Sequence, residues 1–196
     1  MTIEVTAPEN MPTGGNGFTR WLGRLILRLL GWKITGTIPN EAKLVVIGAP
    51  HTSNWDFILT VSMIMALGMK MSFFMKQEAF FWPMKGLFMK LGGVPVNRGK
   101  ASSVMKESIE WFKRSEKAWI AITPEGTRGR VNSWKSGFIR IAHGAEVPIL
   151  IIGVKGQKKE LVFERLVVAT DQFKEQAEEL RQYMHEHYQG IRLENQ

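Results

Sequence analysis

The sequence predicts an α/β fold: a mixed, largely parallel central sheet flanked by helices, with an amphipathic helix ahead of it. Three observations carry that expectation. Short apolar runs suited to strands recur at 44–49, 71–76, 118–122, 147–154 and 161–169. Helix-like stretches alternate with them, and several runs close on Pro or Gly and pass into a polar turn. A chain of 196 residues that is 44% hydrophobic can bury one good core, so one domain is expected rather than two unrelated ones. The division that follows is a flexible tail over 1–17, an amphipathic helix over 18–32 and one globular domain over 33–196.

Residues 1–17 carry Glu4, Glu9, two prolines and three glycines, and no basic segment leads into an apolar core, so neither signal peptide nor anchor is expected there. Residues 18–32 place Arg20, Arg24 and Arg28 at every fourth position, one stripe on a helix, with Trp21, Leu22, Leu25, Ile26 and Leu29 on the opposite arc. Such a helix, with tryptophans near both ends, suits the headgroup layer of an anionic membrane. A helix packed on its own domain with the arginines in water fits the same pattern, and the two are compatible. The longest stretch without a charge, 57–69, has 13 residues, about 20 Å as a helix against roughly 30 Å of hydrocarbon, so no segment is expected to span a bilayer. It reads as a buried helix with Met63, Met65 and Met69 in the core. Residues 79–90 mix aromatics and methionines with lysines, a second membrane-facing patch or a piece of core, with Pro83 in the first turn of a short helix. A short strand at 92–99 ends in a turn that exposes Arg98. Helices are expected over 101–116, with Val104, Ile109 and Phe112 among the apolar positions, and from about 138 to 144. Asp171 is placed as the cap of a last helix reaching about Tyr188.

Two polar stretches follow strands and hold the chemistry. In His51-Thr52-Ser53-Asn54-Trp55-Asp56, five positions separate His51 from Asp56. On one continuous helix that is about 140° around the axis, out of contact, so His51 belongs before the helix and Asp56 in its first turn, with Ser53 or Asn54 as N-cap. A carboxylate that holds one imidazole nitrogen leaves the other as a base for a hydroxyl proton. An ordinary role also accounts for the pair, and taken alone is favoured: a first-turn acid that complements the helix dipole and a loop histidine. In Thr123-Pro124-Glu125-Gly126-Thr127-Arg128, Gly126 can take a positive φ and let the backbone approach a ligand, and Arg128 is a fork suited to phosphate. Ligands of such sheets sit at the carboxyl ends of strands, where His51, Arg98 and Glu125 to Arg128 all fall. His143, His185 and His187 read as structural or solvated, and a histidine metal site has little support.

Composition narrows the chemistry further. The chain has no cysteine, which excludes disulfides, thiolate catalysis and cysteine zinc sites. A net charge of +8 and a pI near 9.8 point to an anionic partner: nucleic acid, a membrane headgroup or a phosphorylated substrate. The basic residues are dispersed and no nucleic-acid-binding motif appears, so no nucleic-acid partner is expected.

The ordered set His51 to Asp56, Gly93-Val94-Pro95-Val96-Asn97-Arg98, Pro124 to Arg128 and Val147-Pro148-Ile149 resembles the four blocks of the glycerolipid acyltransferase superfamily, over about residues 43–155. The second block has Pro95 and Asn97 where the family often carries an aromatic residue and an aspartate. The resemblance implies an acyltransferase domain over 33–196. It implies His51, oriented by Asp56, as general base, with acyl-coenzyme A or acyl carrier protein as co-substrate and no covalent acyl-enzyme. It implies Asn97, Arg98, Glu125, Gly126, Thr127 and Arg128 around a phosphorylated acceptor, a lysophospholipid such as 1-acylglycerol 3-phosphate. No metal or redox cofactor is required. Glycerol 3-phosphate, another lysophospholipid or a lyso-aminolipid stay open as acceptors. A catalytically silent membrane scaffold is the reading from another class, and the paired His51 and Asp56 argue against it. The expected location is peripheral, on the cytoplasmic face of the cell membrane.

Overall fold

The structure, a computed structural model, describes residues 7–50, 52–53, 55–90, 92–96, 101–126, 129 and 131–192. Among these, one sheet holds β1 Lys33–Gly36, β2 Lys43–Ala49, β3 Ser72–Lys76, β4 Gly93–Val96, β5 Ala118–Ile122, β6 Ile149–Lys155 and β7 Glu160–Val167, in the order β1-β7-β6-β2-β5-β3-β4. Strands β2 to β6 run parallel, whereas β7 is antiparallel to β6 and carries β1 parallel to itself at the edge. The sheet is therefore mixed and largely parallel, as the alternation of strand and helix predicts. The helices are α1 Gly17–Leu30, α2 Trp55–Leu67, α3 Met84–Lys90, α4 Ala101–Arg114, α5 Gly137–Ala145 and α6 Phe173–His187.

Both faces of the sheet are covered, which is why its central strands are continuous apolar runs rather than alternating ones. Period two still sorts their side chains. In β2, Leu44 and Val46 join the core under α1 and α2 with Leu59, Met63 and Trp119. Val45, Ile47 and Ala49 join the core under α4, α5 and α6, with Phe112, Phe138, Ile139 and Leu180. Met63 and Met69 are buried in the first core, the plain packing role allowed for them.

Helix α1 is closed at both ends by its own sequence. The Asn16 side chain accepts from the Thr19 N–H at 3.0 Å, Thr19 Oγ1 accepts from the Asn16 N–H at 2.8 Å, and Gly31 ends the helix at φ 73°. It crosses α2 at Gly23, where a Cβ would fall 2.5 Å from the Ala66 nitrogen and 2.6 Å from the Ser62 carbonyl oxygen. The arginine stripe is only partly solvated. Arg24 Nε donates to the Ala66 carbonyl at 3.3 Å, and the Arg20 guanidinium fills the place a side chain at Gly68 would need. Two of the three cations thus lie at the negative end of α2. The side of α1 turned away from the domain exposes Phe18, Trp21 and Leu29, at 65%, 56% and 76%.

Several expectations need correction. Residues 8–16 are docked rather than a free tail: Met11 is fully buried, and the Lys70 N–H donates to the Pro12 carbonyl at 2.8 Å and the Gly14 N–H to that of Gly68 at 2.9 Å. A lone methionine among polar residues gives no periodic signal, but it is part of the first core. Strand β1 has no counterpart among the strands the sequence predicts; only Ile34 of its four residues is buried. Pro83 precedes α3 by one residue instead of opening it. Asp171 does not cap α6; Gln172 holds that position without a side-chain bond. Instead the buried Gln176 ties the turn, accepting from the Thr170 N–H at 2.9 Å and donating to the Val168 carbonyl at 2.8 Å.

Candidate active site

Strand β2 delivers the chain to Pro50 at the carboxyl edge of the sheet, and α2 starts at Trp55. Asp56 lies in the first turn of α2 and is 6% exposed. Its Oδ2 accepts the backbone N–H groups of Thr52 at 2.8 Å and Ser53 at 2.7 Å, and the Ser53 hydroxyl accepts the Trp55 N–H at 3.1 Å. One carboxylate therefore folds the loop back on the helix that carries it. For Asp56, the place inside the first turn is what the five-residue spacing demands. His51 and Asn54 lie outside the described residues. The bonds described at Asp56 are those of a loop-closing acid, and they also leave a carboxylate fixed in direction beside the strand end.

Strand β5 is the sheet neighbour of β2, with Ile47 level with Ile122, so the two loops leave side by side. After β5 the Gly126 N–H donates to the Thr123 carbonyl at 3.1 Å, and Gly126 takes φ 66° as expected of it. The Lys135 N–H returns to the Pro124 carbonyl at 3.1 Å and closes the base of the loop. Pro124 is buried and Glu125 half-buried. Thr127 and Arg128 lie outside the described residues, as do Asn97 and Arg98. Strand β4, which leads to Arg98, is three strands from β2, roughly 14 Å at the usual strand spacing. Strands β2, β5 and β4 all end at this edge of the sheet, β2 and β5 as neighbours and β4 toward its far side.

The pocket at this edge has lining residues that the sequence alone did not single out. Pro50 and Glu125 meet Trp134 from the loop before α5 and Arg181, Met184 and His185 from α6. His185, which the sequence marks as structural or solvated, is exposed and lines this pocket. The available signal was the four-residue spacing of Arg181 and His185, which sets both on one side of α6. Arg181 is paired bidentately with Glu178, the shortest contact 2.7 Å, and that bond holds the guanidinium pKa above its ordinary value. His187 stacks on Tyr183 at 4.2 Å and His143 meets Phe173 edge-on at 5.5 Å, the structural roles expected of them.

The chain is similar to known proteins in sequence and in fold. A model of the acyltransferase family matches residues 2–155. A protein named 1-acyl-sn-glycerol-3-phosphate acyltransferase from Streptococcus pneumoniae (strain ATCC BAA-255 / R6) is 32% identical over 154 residues, 73% of this chain and 56% of that protein. The chain thus spans little more than half the length of that relative. The crystal structure of the 1-acyl-sn-glycerophosphate (LPA) acyltransferase PlsC from Thermotoga maritima aligns with a TM-score of 0.61 at 18% identity, covering 87% of this chain and 78% of that one, a likeness of fold.

Proposed function

Since the chain belongs to the acyltransferase family, we propose that it moves a fatty acyl group from acyl-coenzyme A or acyl carrier protein to the free hydroxyl of 1-acylglycerol 3-phosphate, giving phosphatidic acid. The observation that carries this reading is the buried Asp56 carboxylate, aimed by two backbone N–H groups, in the loop that bears His51. His51 takes the proton of the acceptor hydroxyl as the oxygen attacks the thioester carbonyl. The C–O bond forms, the C–S bond breaks, and the proton passes from His51 to the leaving thiolate. Asp56 orients the imidazole and stabilises its charged form. Arg98 and Arg128 hold the acceptor phosphate, and Asn97, Glu125, Gly126 and Thr127 shape the space around it. These steps use no resident metal or redox group. The deciding test is a panel of glycerol 3-phosphate, lysophospholipids and lyso-aminolipids with labelled acyl-coenzyme A. 1-Acylglycerol 3-phosphate should be acylated fastest, and equal rates across phosphorylated and phosphate-free acceptors would refute it.

The same reading places the protein at the cytoplasmic surface of an anionic membrane. Among the described residues no helix is long and apolar enough to cross one. Support for surface binding comes from the outward Phe18, Trp21 and Leu29 of α1, with Trp55 and Ile58 of α2 and Phe81 and Trp82 near α3 also exposed. Reversing Arg20 or Arg24 would disturb the end of α2 as well as any membrane contact, so the clean variant is Trp21→Ser with Leu29→Ser. It should release the protein from anionic vesicles at an unchanged melting temperature, and high salt should weaken binding of the parent. Undiminished vesicle binding would remove α1 from the membrane face.

A further inference from the structure

The chain after Lys155, beyond the stretch matched by the family, comes back to the candidate active site. Helix α6 ends at His187 and is followed by Tyr188, whose ring occupies the space beside Gly153 so fully that a Cβ there would meet it at 2.0 Å. The Tyr188 hydroxyl donates to Glu164 of β7, which also accepts from Tyr183 at 2.6 Å. From this anchor the backbone runs along the end of β6: the Gln189 N–H donates to the Val154 carbonyl at 3.1 Å and the Gly156 N–H to that of Gln189 at 2.7 Å. Gly190 then passes over Thr52, where a Cβ would fall 2.3 Å from Thr52 Cγ2 and 2.5 Å from its Oγ1. The Arg192 N–H donates to Thr52 Oγ1 at 3.1 Å. Thr52 is 2% exposed, and its own N–H is one of the two that aim Asp56.

We infer that residues 188–192 form a strap that positions the proton-transfer loop. The line of force runs from the tail backbone through the Thr52 side chain to the Thr52 N–H and so to the Asp56 carboxylate. The close approach of the strap requires a glycine at 190, and the Thr52 hydroxyl oxygen is the acceptor of the Arg192 N–H. Proton transfer needs heavy atoms within about 0.3 Å of an ideal separation, so a carboxylate held by a short loop gains from a second clamp on that loop. Gly190, Thr52 and the Arg192 backbone are therefore positioning residues, and Tyr188 is the pin that sets where the strap starts. The inference rests on the proposed role of Asp56 in orienting His51.

The test uses the full chain, with acyl-coenzyme A and 1-acylglycerol 3-phosphate in detergent, and compares Gly190→Ala, Thr52→Val, Thr52→Ser and His51→Ala. A strap predicts that Gly190→Ala and Thr52→Val each lower kcat about 10- to 100-fold, the scale of a ~1 Å misplacement, with both KM values within about twofold of the parent. Thr52→Ser should recover most of what Thr52→Val loses. Adding Gly190→Ala to His51→Ala should cost nothing further, because a strap that acts only through the base has nothing left to position. A Gly190→Ala enzyme with the parent's kcat, while His51→Ala is dead, overturns the strap and leaves the base intact. Loss in Gly190→Ala that tracks a fall in folded fraction, with Thr52→Ser as poor as Thr52→Val, also overturns it. An active His51→Ala overturns both the base and the strap.

Discussion

The loops that leave β2 and β5 start side by side on neighbouring strands but are held in different ways. The described residues of the short β2 loop, Pro50, Thr52 and Ser53, are buried, as is Asp56 in the first turn of α2, and one Asp56 oxygen gathers two backbone N–H groups. The β5 loop spans from Thr123 to Ser136, and of its described residues only Pro124 is buried. It is tied at its base by Lys135 and Pro124 and turned by the positive φ of Gly126. The contrast matches the two tasks proposed for them. A base must be aimed to within tenths of an ångström, whereas a loop that receives a charged headgroup needs donors and room.

Mutations sharpen that contrast, beginning with the loop held most tightly. His51→Ala should leave a folded protein and lower acyl transfer about 10² to 10⁴-fold, the usual yield of a positioned base. Steady-state rates beside a melting curve check this, and activity within a few-fold of the parent would break the assignment. In the wider loop, Arg128→Ala should weaken use of the phosphorylated acceptor by roughly 2 to 5 kcal/mol, with Arg128→Lys in between, because lysine keeps the charge and loses the fork. Hydrolysis of acyl-coenzyme A by water, assayed in parallel, should fall less. Equal losses toward acceptor and water would make Arg128 a structural residue.

Asp56→Asn should do less harm than His51→Ala. The amide oxygen can still accept from Thr52 and Ser53, so the loop closes while the charge beside the imidazole is lost. Asp56→Ala is the sharper structural probe, since it strands two buried donors at about 1 to 3 kcal/mol. If Asp56→Asn keeps full activity and only melts earlier, Asp56 is a cap and nothing more. Gly126→Ala should cost about 1 to 2 kcal/mol through its left-handed backbone, and should raise the acceptor KM more than it lowers kcat. An unchanged acceptor KM would separate Gly126 from the recognition loop.

The smallest effect concerns pH at the pin of the strap. Glu164 faces the Tyr183 and Tyr188 hydroxyls with Arg165 and Lys155 nearby; the two tyrosine hydrogen bonds, Tyr183 first, hold its carboxyl below the usual glutamate range. A carboxyl lowered on folding stabilises the fold above its unfolded pKa of about 4.3, and that contribution is lost as pH falls through the lower folded value. Melting temperature measured from pH 7 to pH 3 should therefore fall less steeply for Glu164→Gln than for the parent. Parallel curves would show that the charge at Glu164 adds nothing at this anchor.

Local pattern alone determined much of this molecule. The apolar run of β2 followed by Pro50 marks a strand and its stop, and the His51 to Asp56 spacing forces one residue before the helix and the other into its first turn. The four-residue repeat of arginines marks α1, and Gly126 foretells its own backbone. Each depends on neighbours within a turn or a strand, where periodicity and sterics act directly. Only the tertiary structure decided what depends on partners far away in the chain. Met11 is core because its segment is docked on the residues after α2, Arg24 caps a helix 42 residues on, and Ile34 makes a strand only because β7 offers an edge. Thr52 and Arg192 meet across 140 residues, a contact that no local periodicity encodes, because it is set by where the sheet order brings the end of β6 and the start of α2.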